Sequence, residues 1–563
     1  MKKFLNSTLY FAIIGSLVLS SCQSTNTNLP TPDSEDTEMP DWAYAGGELG
    51  TTFNHTSDCF EQPSPAVENY GFSKSFVLGE AFFEDPFVTT PDVPMTGLGP
   101  AYVRNSCMHC HPGYGHGKRI EGSFNVQDHG NGYLICLYTG GEENATYAMA
   151  SLPGMPQTMT SAPFTAYPPI VNNQVEIIWH DYTDQYGNKY EDGTEYSLIY
   201  PEVVIPENAF NVIWQGSESY SGIEIAVEAT IGIYGTGLLD AISNEDYYAE
   251  YEAQQARGYS QGKIGGQITE NDGTTQYGRY TYGQTRGTLQ NGAGSNAIWN
   301  ITNVMRKDRQ AYYVGTGWLE YLKETSEFKN ADDDASNYEF IYMTFKMETY
   351  NNKINDDTVL ENENFNSYMA TATQGFKDYV ATEGRTDESG NITRPAIALD
   401  QDSYVNFMVW HRGLAVPSVR DWDDEEVLRG RELFLSDDMG CTACHKPSWT
   451  TGSDPVNGDR NISADMMPRY PNQTIWPYTD LLKHDIGLYK PGMRKYCRTT
   501  PLWGRGLHVK ANGSSDRLHD MRARNTEEAI LWHQGEEAEY SRDAWRTLSK
   551  SDREAMIAFI DAI

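Results

Sequence analysis

The 563-residue sequence predicts a mainly α-helical fold that carries a β-rich insertion in its N-terminal part. Near the end of the chain, apolar residues recur at helical spacing in 424–435 and 551–562. Residues 165–235 are instead rich in β-branched side chains, and Asp192-Gly193 provides a turn signal between two runs. A chain of this length divides into about two to four domains, each with its own core.

The N-terminus has the pattern of an export signal. Lys2 and Lys3 precede an apolar run over 9–19 that is too short to span a membrane. The run ends in Leu-Ser-Ser-Cys, which resembles the lipobox of bacterial lipoproteins, whose cysteine becomes the lipidated first residue. We therefore expect 1–21 to be a signal peptide, Cys22 to carry the lipid, and 22–41 to be a flexible tether.

A plain signal peptide with an incidental cysteine is the alternative to this interpretation. Gln23 follows Cys22, whereas an Asp there would resemble an inner-membrane retention signal. The sequence thus favours an outer-membrane lipoprotein on the periplasmic or surface side, anchored by lipid.

Two pairs of cysteines share one spacing, and each pair is followed by histidine: Cys107 and Cys110 precede His111, and Cys441 and Cys444 precede His445. C-x-x-C-H is the attachment signature of c-type haem, in which the thiols bond to the haem and the histidine ligates the iron. Zinc and dithiol sites also use C-x-x-C pairs, but they need no histidine after each pair. The sequence therefore predicts two covalently bound haem c groups with His111 and His445 as proximal ligands.

The two motifs predict two cytochrome c-like domains. We expect an N-terminal haem domain over 42–395, with the β-rich insertion at about 165–235, and a C-terminal haem domain over 396–563. Three further cysteines remain: Cys59, Cys136 and Cys497. A disulfide between Cys59 and Cys136, which flank the first motif, is one hypothesis, and buried free thiols are the other.

The composition excludes some functions. A net charge of −36 argues against non-specific nucleic-acid binding, which needs lysine and arginine against phosphate. The charge fits solubility or a basic partner.

Four segments look like those of one family. They are TGLGPAYVRNSCMHCHPGYGHGK (96–118), PYTDLLKHDIG (477–487), RTTPLWG (498–504) and LHDMRARNTEEAILWHQGEEA (518–538). These segments resemble the bacterial di-haem oxidoreductases of peroxidase type, distant relatives of the di-haem cytochrome c peroxidases. Met521 and Gln534 stand where the family pattern has glycine.

The resemblance implies that the C-terminal haem relays electrons to the N-terminal haem, which reduces peroxide or forms a high-valent oxidant. The cytochrome c peroxidases have a methionine ligand where this chain has Leu518, which cannot bind iron. We therefore expect His519 to be the distal ligand of the second haem. The other candidates for this ligand are His533, Met493 and His484.

Peroxide activation needs a group that moves a proton and polarises the O–O bond. Gln290, Glu224 and Glu228 are the candidates for this role at the first haem, with ordinary surface positions as the alternative. A second protein ligand on the first iron is another option. The candidates for that ligand are Met155, Met159, His116 and His129.

Haem propionates need cationic partners. Arg498 and Arg505 lie in the family-like stretch of a basic region and are the predicted propionate contacts, with a solvated basic face as the alternative. Trp503 is a candidate for electron hopping between the haems, although core packing is favoured.

Two other function classes stay open. One is a pure electron-transfer cytochrome with two protein ligands on each iron, and the other is a redox accessory lipoprotein in metal or nutrient uptake. Oxygenase chemistry is a further variant. The predicted partners are an electron donor, such as a cytochrome or a basic protein, and peroxide or another small oxidant.

Overall fold

The computed structural model describes residues 38–91, 93–120, 122–123, 131–139, 149–294, 301–306, 311–329, 334–351, 362–382, 399–487 and 495–563. The predicted signal peptide and Cys22 lie outside these residues, as does the predicted domain boundary at 395/396. Residues Asp41–Ile563 form one unit, and the division into two haem domains stays a prediction. Within the described ranges, no helix is long and apolar enough to cross a membrane.

Helices account for most of the regular structure, as predicted. Numbered α1 to α17 in chain order, the described α-helices are Gly47–Gly50, Pro65–Asn69, Ser73–Glu84, Thr236–Asp240, Asn244–Arg257, Leu289–Asn291, Thr316–Glu324, Ser326–Lys329, Tyr338–Tyr350, Glu363–Thr371, Gln374–Thr382, Gln401–Gly413, Glu425–Leu435, His508–Asn512, Thr526–Leu531, Glu539–Arg546 and Lys550–Ala562.

The strands form sheets of two or three members. Numbered β1 to β15, they are Thr51–Thr52, Ala101–Tyr102, Gly122–Ser123, Tyr133–Tyr138, Met159–Thr160, Glu176–Tyr182, Leu198–Val204, Glu224–Ala229, Gln267–Thr269, Thr275–Tyr277, Val416–Pro417, Trp449–Thr450, Thr474–Ile475, Lys483–His484 and Cys497–Arg498. The predicted β-rich stretch contains β6, β7 and β8. β6 and β7 form an antiparallel hairpin, and β8 pairs with β4.

Two helix pairs set the framework around the haem motifs. α3 packs on α12, where a Cβ at Gly79 would lie 2.1 Å from the carbonyl oxygen of Asn406. α13 packs on α17, where a Cβ at Gly430 would lie 1.9 Å from the carbonyl oxygen of Ala555. Only glycine permits such close backbone approach, so both crossings depend on it.

Side-chain caps mark the starts of two helices in the C-terminal part of the chain. Asp424 caps α13 by accepting from the backbone N–H of Glu426 at 2.8 Å. Asn525 caps α15 by accepting from the N–H of Glu528 at 2.8 Å. The carboxylate of Glu528 accepts from the N–H of Arg524 at 2.9 Å, one residue earlier than a reciprocal capping box requires.

Candidate functional site

The second motif starts where a left-handed residue, Gly440, leads into a 3₁₀ turn over Cys441–Ala443. The turn closes when the backbone N–H of His445 donates to the carbonyl of Cys441 at 3.0 Å. Nδ1 of His445 then donates to the carbonyl of Tyr478 at 3.2 Å. A bond of this kind fixes the tautomer and leaves Nε2 as the ligating nitrogen.

The first motif repeats this local geometry. The N–H of His111 donates to the carbonyl of Cys107 at 3.1 Å, and Nδ1 of His111 donates to the carbonyl of Ile231 at 3.2 Å. Burial lowers the pKa of His111 and of His445 to about 4. Both imidazoles are therefore neutral at neutral pH, which is the form that binds a metal.

A cavity opens beside the second motif, with about 1330 Å³ of empty space when the solvent at its open mouth is included. The motif residues Cys441, Cys444 and His445 line it, and so does Phe434 of α13. Helices α13 and α17 thus hold the wall of the cavity in place.

His533 lies across from His445, with ring centres 6.2 Å apart. A metal–imidazole bond of about 2 Å and a ring radius of about 1.1 Å place two axial imidazoles about 6 Å apart, centre to centre. Nδ1 of His533 donates to the carbonyl of Ala529 at 2.7 Å. Burial lowers the pKa of His533, so it too is neutral.

His519, the favoured distal candidate, lines the same cavity but stands elsewhere in it. Its ring contacts that of Tyr282 at 5.6 Å, and no contact joins it to His445 within the described residues. The geometry therefore favours His533 over His519.

His484 is occupied by other partners. Its Nδ1 lies 2.6 Å from Glu537 and its Nε2 lies 2.6 Å from Asp480. Burial alone would lower the pKa of His484, but the Cys444 sulfur and the Asp480 carboxylate outweigh it and raise the pKa. With both nitrogens engaged, His484 does not suit axial ligation. Met493 lies outside the described residues.

Four buried arginines line the cavity: Arg498, Arg505, Arg517 and Arg542, the last of which pairs with Asp543 at 2.8 Å. Arg517 lies 3.6 Å from Asp561, whereas within the described part of the chain no carboxylate pairs with Arg498 or Arg505. Nε of Arg498 is buried without a hydrogen-bond partner, and burial lowers the pKa of this side chain. Unpaired buried charge is costly, and propionate carboxylates would relieve the cost.

The surroundings of the first motif differ from those of the second. The ring in contact with His111 is that of Phe83, at 6.1 Å. The buried His411 lies near enough that burial and then His111 lower its pKa, but in the described ranges no histidine ring contacts that of His111. Of the predicted capping residues, Met155 packs against a small cluster that contains Cys110. Met159 lies in β5, and His129 lies outside the described residues.

His116 also lacks a free nitrogen for iron. Its Nδ1 donates to the carbonyl of Gly117 at 2.9 Å, and its Nε2 lies 3.4 Å from the Tyr282 hydroxyl. His116 and Tyr282 both line the large cavity of the second motif.

Glu224 and Glu228 lie on one face of strand β8. In the register of β4 and β8, Glu228 stands opposite Leu134, which packs against the Cys110 cluster. Paired residues of neighbouring strands share a face, so this face is turned to the first motif. The hydroxyl of Tyr138 donates to Oε1 of the buried Glu228.

Gln290 is buried in α6, and within the described residues no contact joins it to Cys107, Cys110 or His111. Trp503 is buried in the main core, where its carbonyl accepts from the Tyr234 hydroxyl at 2.9 Å. This placement agrees with the favoured packing role.

The expected disulfide between Cys59 and Cys136 does not form. Cys59 lies in the main hydrophobic core, whereas Cys136 lies on β4 in a separate cluster with Tyr138 and Ala226. Burial raises the pKa of the Cys59 thiol to about 12. This cysteine therefore remains a buried thiol, as the alternative hypothesis held.

Sequence reasoning did not identify the carbonyls of Ile231 and Tyr478 that orient the two histidines. It also did not identify Arg517 or the Asp480–His484–Glu537 cluster. The signal for Arg517 was present, because it directly precedes the family-like Leu518-His519 segment. A backbone carbonyl carries no sequence signal, so its role required the fold.

Comparison with known proteins supports the same chemistry. Residues 351–563 match the family described as "Di-haem oxidoreductase, putative peroxidase". The predicted resemblance to the di-haem oxidoreductases is thus confirmed for this segment, which contains the second motif, His519 and His533. The family name implies two haems and an oxidoreductase activity.

No curated protein matches the chain. Among solved structures, it is similar to Kuenenia stuttgartiensis hydrazine synthase pressurised with 20 bar xenon, at 16% identity and a TM-score of 0.18. That match covers 34% of this chain and 63% of the hydrazine synthase chain, less than two thirds of its length.

Proposed function

We propose that the protein is a di-haem c-type oxidoreductase of peroxidase type, in which the C-terminal haem relays electrons to an N-terminal haem that reduces peroxide. The asymmetry of the two motifs carries this proposal. His445 has a second imidazole at axial distance, whereas the ring beside His111 is that of Phe83. Haem iron with two protein ligands transfers electrons, and haem iron with an open face binds a small oxidant.

Different residues of the chain would attach the haems, ligate the irons and bind the propionates. Cys107, Cys110, Cys441 and Cys444 provide the four thiols for covalent attachment. His445 and His533 would hold the second iron, and His111 would hold the first. Arg498 and Arg505 present buried positive charge to the propionates of the second haem. Cysteine thiols and a histidine imidazole are the residue types that covalent attachment of haem c requires.

Glu228 is the residue best placed for proton transfer at the first haem. Its Oε1 accepts the hydroxyl proton of Tyr138, and it lies on the sheet face turned to Cys110. A carboxylate in this position would accept a proton from one oxygen of peroxide and return it to the other oxygen, the one that leaves as water. Glu224 lies on the same face, four residues earlier on β8.

Met155 favours a second candidate function, a pure electron-transfer cytochrome. Its side chain packs against the cluster that contains Cys110. A thioether ligand from Met155 would close the open face of the first iron and exclude peroxide.

Electron paramagnetic resonance and optical spectra of the purified holoprotein test the proposal. We expect one high-spin and one low-spin haem, with peroxide altering the high-spin signal. Two low-spin haems that are inert to peroxide in every redox state would overturn the peroxidase proposal and support the Met155 alternative.

A pair of histidine variants tests the ligand assignment. His533→Ala removes one axial imidazole and should convert the low-spin signal to high spin. His519→Ala is the matched control, because this histidine lines the same cavity and should leave the low-spin signal intact. The reverse pattern would assign the ligand to His519.

We further propose that Cys22 anchors the protein by lipid to the outer membrane and that a redox protein of basic charge supplies the electrons. The lipobox-like pattern and the net charge of −36 support these points. The Cys22→Ser variant should move from the membrane fraction to the soluble fraction. Membrane retention of this variant would contradict lipid anchoring through Cys22.

A further inference from the structure

We propose that the hairpin of β6 and β7 positions His533, and that Tyr182 is the residue through which it acts. This inference rests on the proposed role of His533 as an iron ligand. Tyr182 is the last residue of β6, in the β-rich insertion, more than 300 residues before His533 in the chain. The hairpin thus contributes a positioning residue to the second haem site.

Tyr182 contacts the two residues that flank His533. Its ring lies 4.7 Å from that of Trp532, centre to centre, at an interplanar angle of 34°. Its hydroxyl donates to Oε1 of Gln534 at 3.0 Å. Both neighbours of His533 in the chain are therefore held by one side chain.

α15 ends at Leu531, and its hydrogen bonds reach the next two residues: the backbone N–H groups of Trp532 and His533 donate to the carbonyls of Glu528 and Ile530 at 3.0 Å. Contacts from other parts of the chain add to these local bonds. The N–H of Gln534 donates to the carbonyl of Ile486 at 2.9 Å, and the guanidinium of Arg522 lies 4.6 Å from the Trp532 ring. Tyr182 adds a ring contact to Trp532 and a side-chain hydrogen bond to Gln534.

The tip of the hairpin is itself fixed to the C-terminal helices. The hydroxyl of Tyr186 donates to Asp543 at 2.8 Å, and the Arg546 guanidinium lies 3.5 Å from the Tyr186 ring. The hydroxyl of Tyr190 donates to Glu527 at 2.7 Å, and Arg553 lies 3.9 Å from the Tyr190 ring. With its tip anchored, the hairpin holds Tyr182 in a defined place beside Trp532.

The identity of residue 534 is a second observation in favour of the Tyr182 contact. It stands where the family-like pattern has glycine, which offers no side-chain acceptor. The glutamine supplies the oxygen that Tyr182 bonds, so the insertion and the departure from the pattern meet at one hydrogen bond.

Carbon monoxide binding to the reduced second haem tests the proposal in the holoprotein, because it requires His533 to leave the iron. In Tyr182→Ala, which loses the ring contact and the hydrogen bond, we expect binding at least about tenfold faster, equal to about 1.4 kcal/mol. In Tyr182→Phe and in Gln534→Ala, each of which loses the hydrogen bond, we expect about fivefold. The low-spin resonance should broaden in the same order.

Tyr196→Phe is the matched control, because its hydroxyl donates to Asp184 within the hairpin and bonds neither Trp532 nor Gln534. We expect it to bind carbon monoxide at the wild-type rate. Wild-type rates in Tyr182→Ala, Tyr182→Phe and Gln534→Ala would overturn the positioning role. If His533→Ala also kept the wild-type low-spin signal, the proposed ligand itself would fail, so the two failures are distinguishable.

Discussion

At the scale of single residues, His533 and His519 differ in one geometric fact. Both line the same cavity, but the His533 ring lies 6.2 Å from that of His445, whereas the His519 ring lies 5.6 Å from that of Tyr282. The type of side chain is identical, so its role depends on its position. Position also excludes His484 as an iron ligand, because carboxylates contact both of its ring nitrogens.

Glu228 carries a prediction for peroxide chemistry. The Glu228→Gln variant keeps the size of the side chain and its hydrogen bond to Tyr138 but loses the proton acceptor. We expect peroxide turnover to fall about 10²–10⁴-fold, the usual contribution of a positioned acid or base, with two haems per chain retained. Stopped-flow kinetics with peroxide measure the rate, and Glu224→Gln is the matched control. An unchanged rate would remove Glu228 from the mechanism.

Arg498 carries a prediction for cofactor binding. In Arg498→Met the side chain stays long but loses its charge, so a propionate near it would be buried without a partner. We expect the midpoint potential of the second haem to fall, because the lost positive charge no longer favours the electron-rich reduced form. Redox potentiometry measures this shift. A potential equal to that of the wild-type protein would contradict a propionate contact at Arg498.

At the scale of elements, the crossing of α13 and α17 supports the wall of the second site. Phe434 of α13 contacts Phe559 of α17 at 5.4 Å between ring centres, and also contacts His445 at 6.2 Å. The crossing depends on Gly430, which lies against the backbone of Ala555. The packing of α13 against α17 therefore fixes the position of Phe434 beside His445.

The Gly430→Ala variant tests this dependence. The new methyl group would meet backbone atoms that cannot move aside as a side chain would, so we expect a loss of about 1–3 kcal/mol of unfolding free energy. Denaturant titration measures it. Gly266→Ala is the control, because a Cβ there has nothing within 4 Å, and we expect no loss. Equal stability of the two variants would contradict the close crossing.

At the scale of the whole molecule, buried neutral histidines make stability depend on pH. Burial lowers the pKa of His508 well below its ordinary value, and Arg505, Arg517 and His116 lower it further. The unfolded chain binds a proton at this histidine below about pH 6.5, whereas the folded chain does not. Unfolding therefore takes up a proton in acid, and stability falls as the pH drops below about 6.5.

The His508→Gln variant should flatten this dependence. We expect the slope of unfolding free energy against pH, between about pH 5 and 6, to decrease by up to about 1.4 kcal/mol per pH unit. Above about pH 7 the slope should equal that of the wild-type protein. Denaturant titrations across this range measure it, and an unchanged acid slope would show that His508 is not neutral in the folded state.

Local patterns predicted much of the fold because their causes are local. The helices predicted at 424–435 and 551–562 and the β-rich stretch each follow from spacing within a few residues. The Cys59–Cys136 hypothesis failed for the opposite reason. Both cysteines are near the first motif in the sequence, but this does not fix the distance between them in the fold. They lie in different hydrophobic clusters.

The sequence by itself predicted two haem attachment sites with their proximal histidines, because C-x-x-C-H is a contiguous signal whose residues act on one group. Its segments at 477–487, 498–504 and 518–538 carried the family resemblance that the comparison confirmed for 351–563. Only the tertiary structure decided which histidine faces His445, which arginines lie buried without carboxylates, and that a hairpin from the insertion holds the ends of the His533 segment. These facts join residues far apart in the chain, and such contacts are set by packing rather than by local spacing.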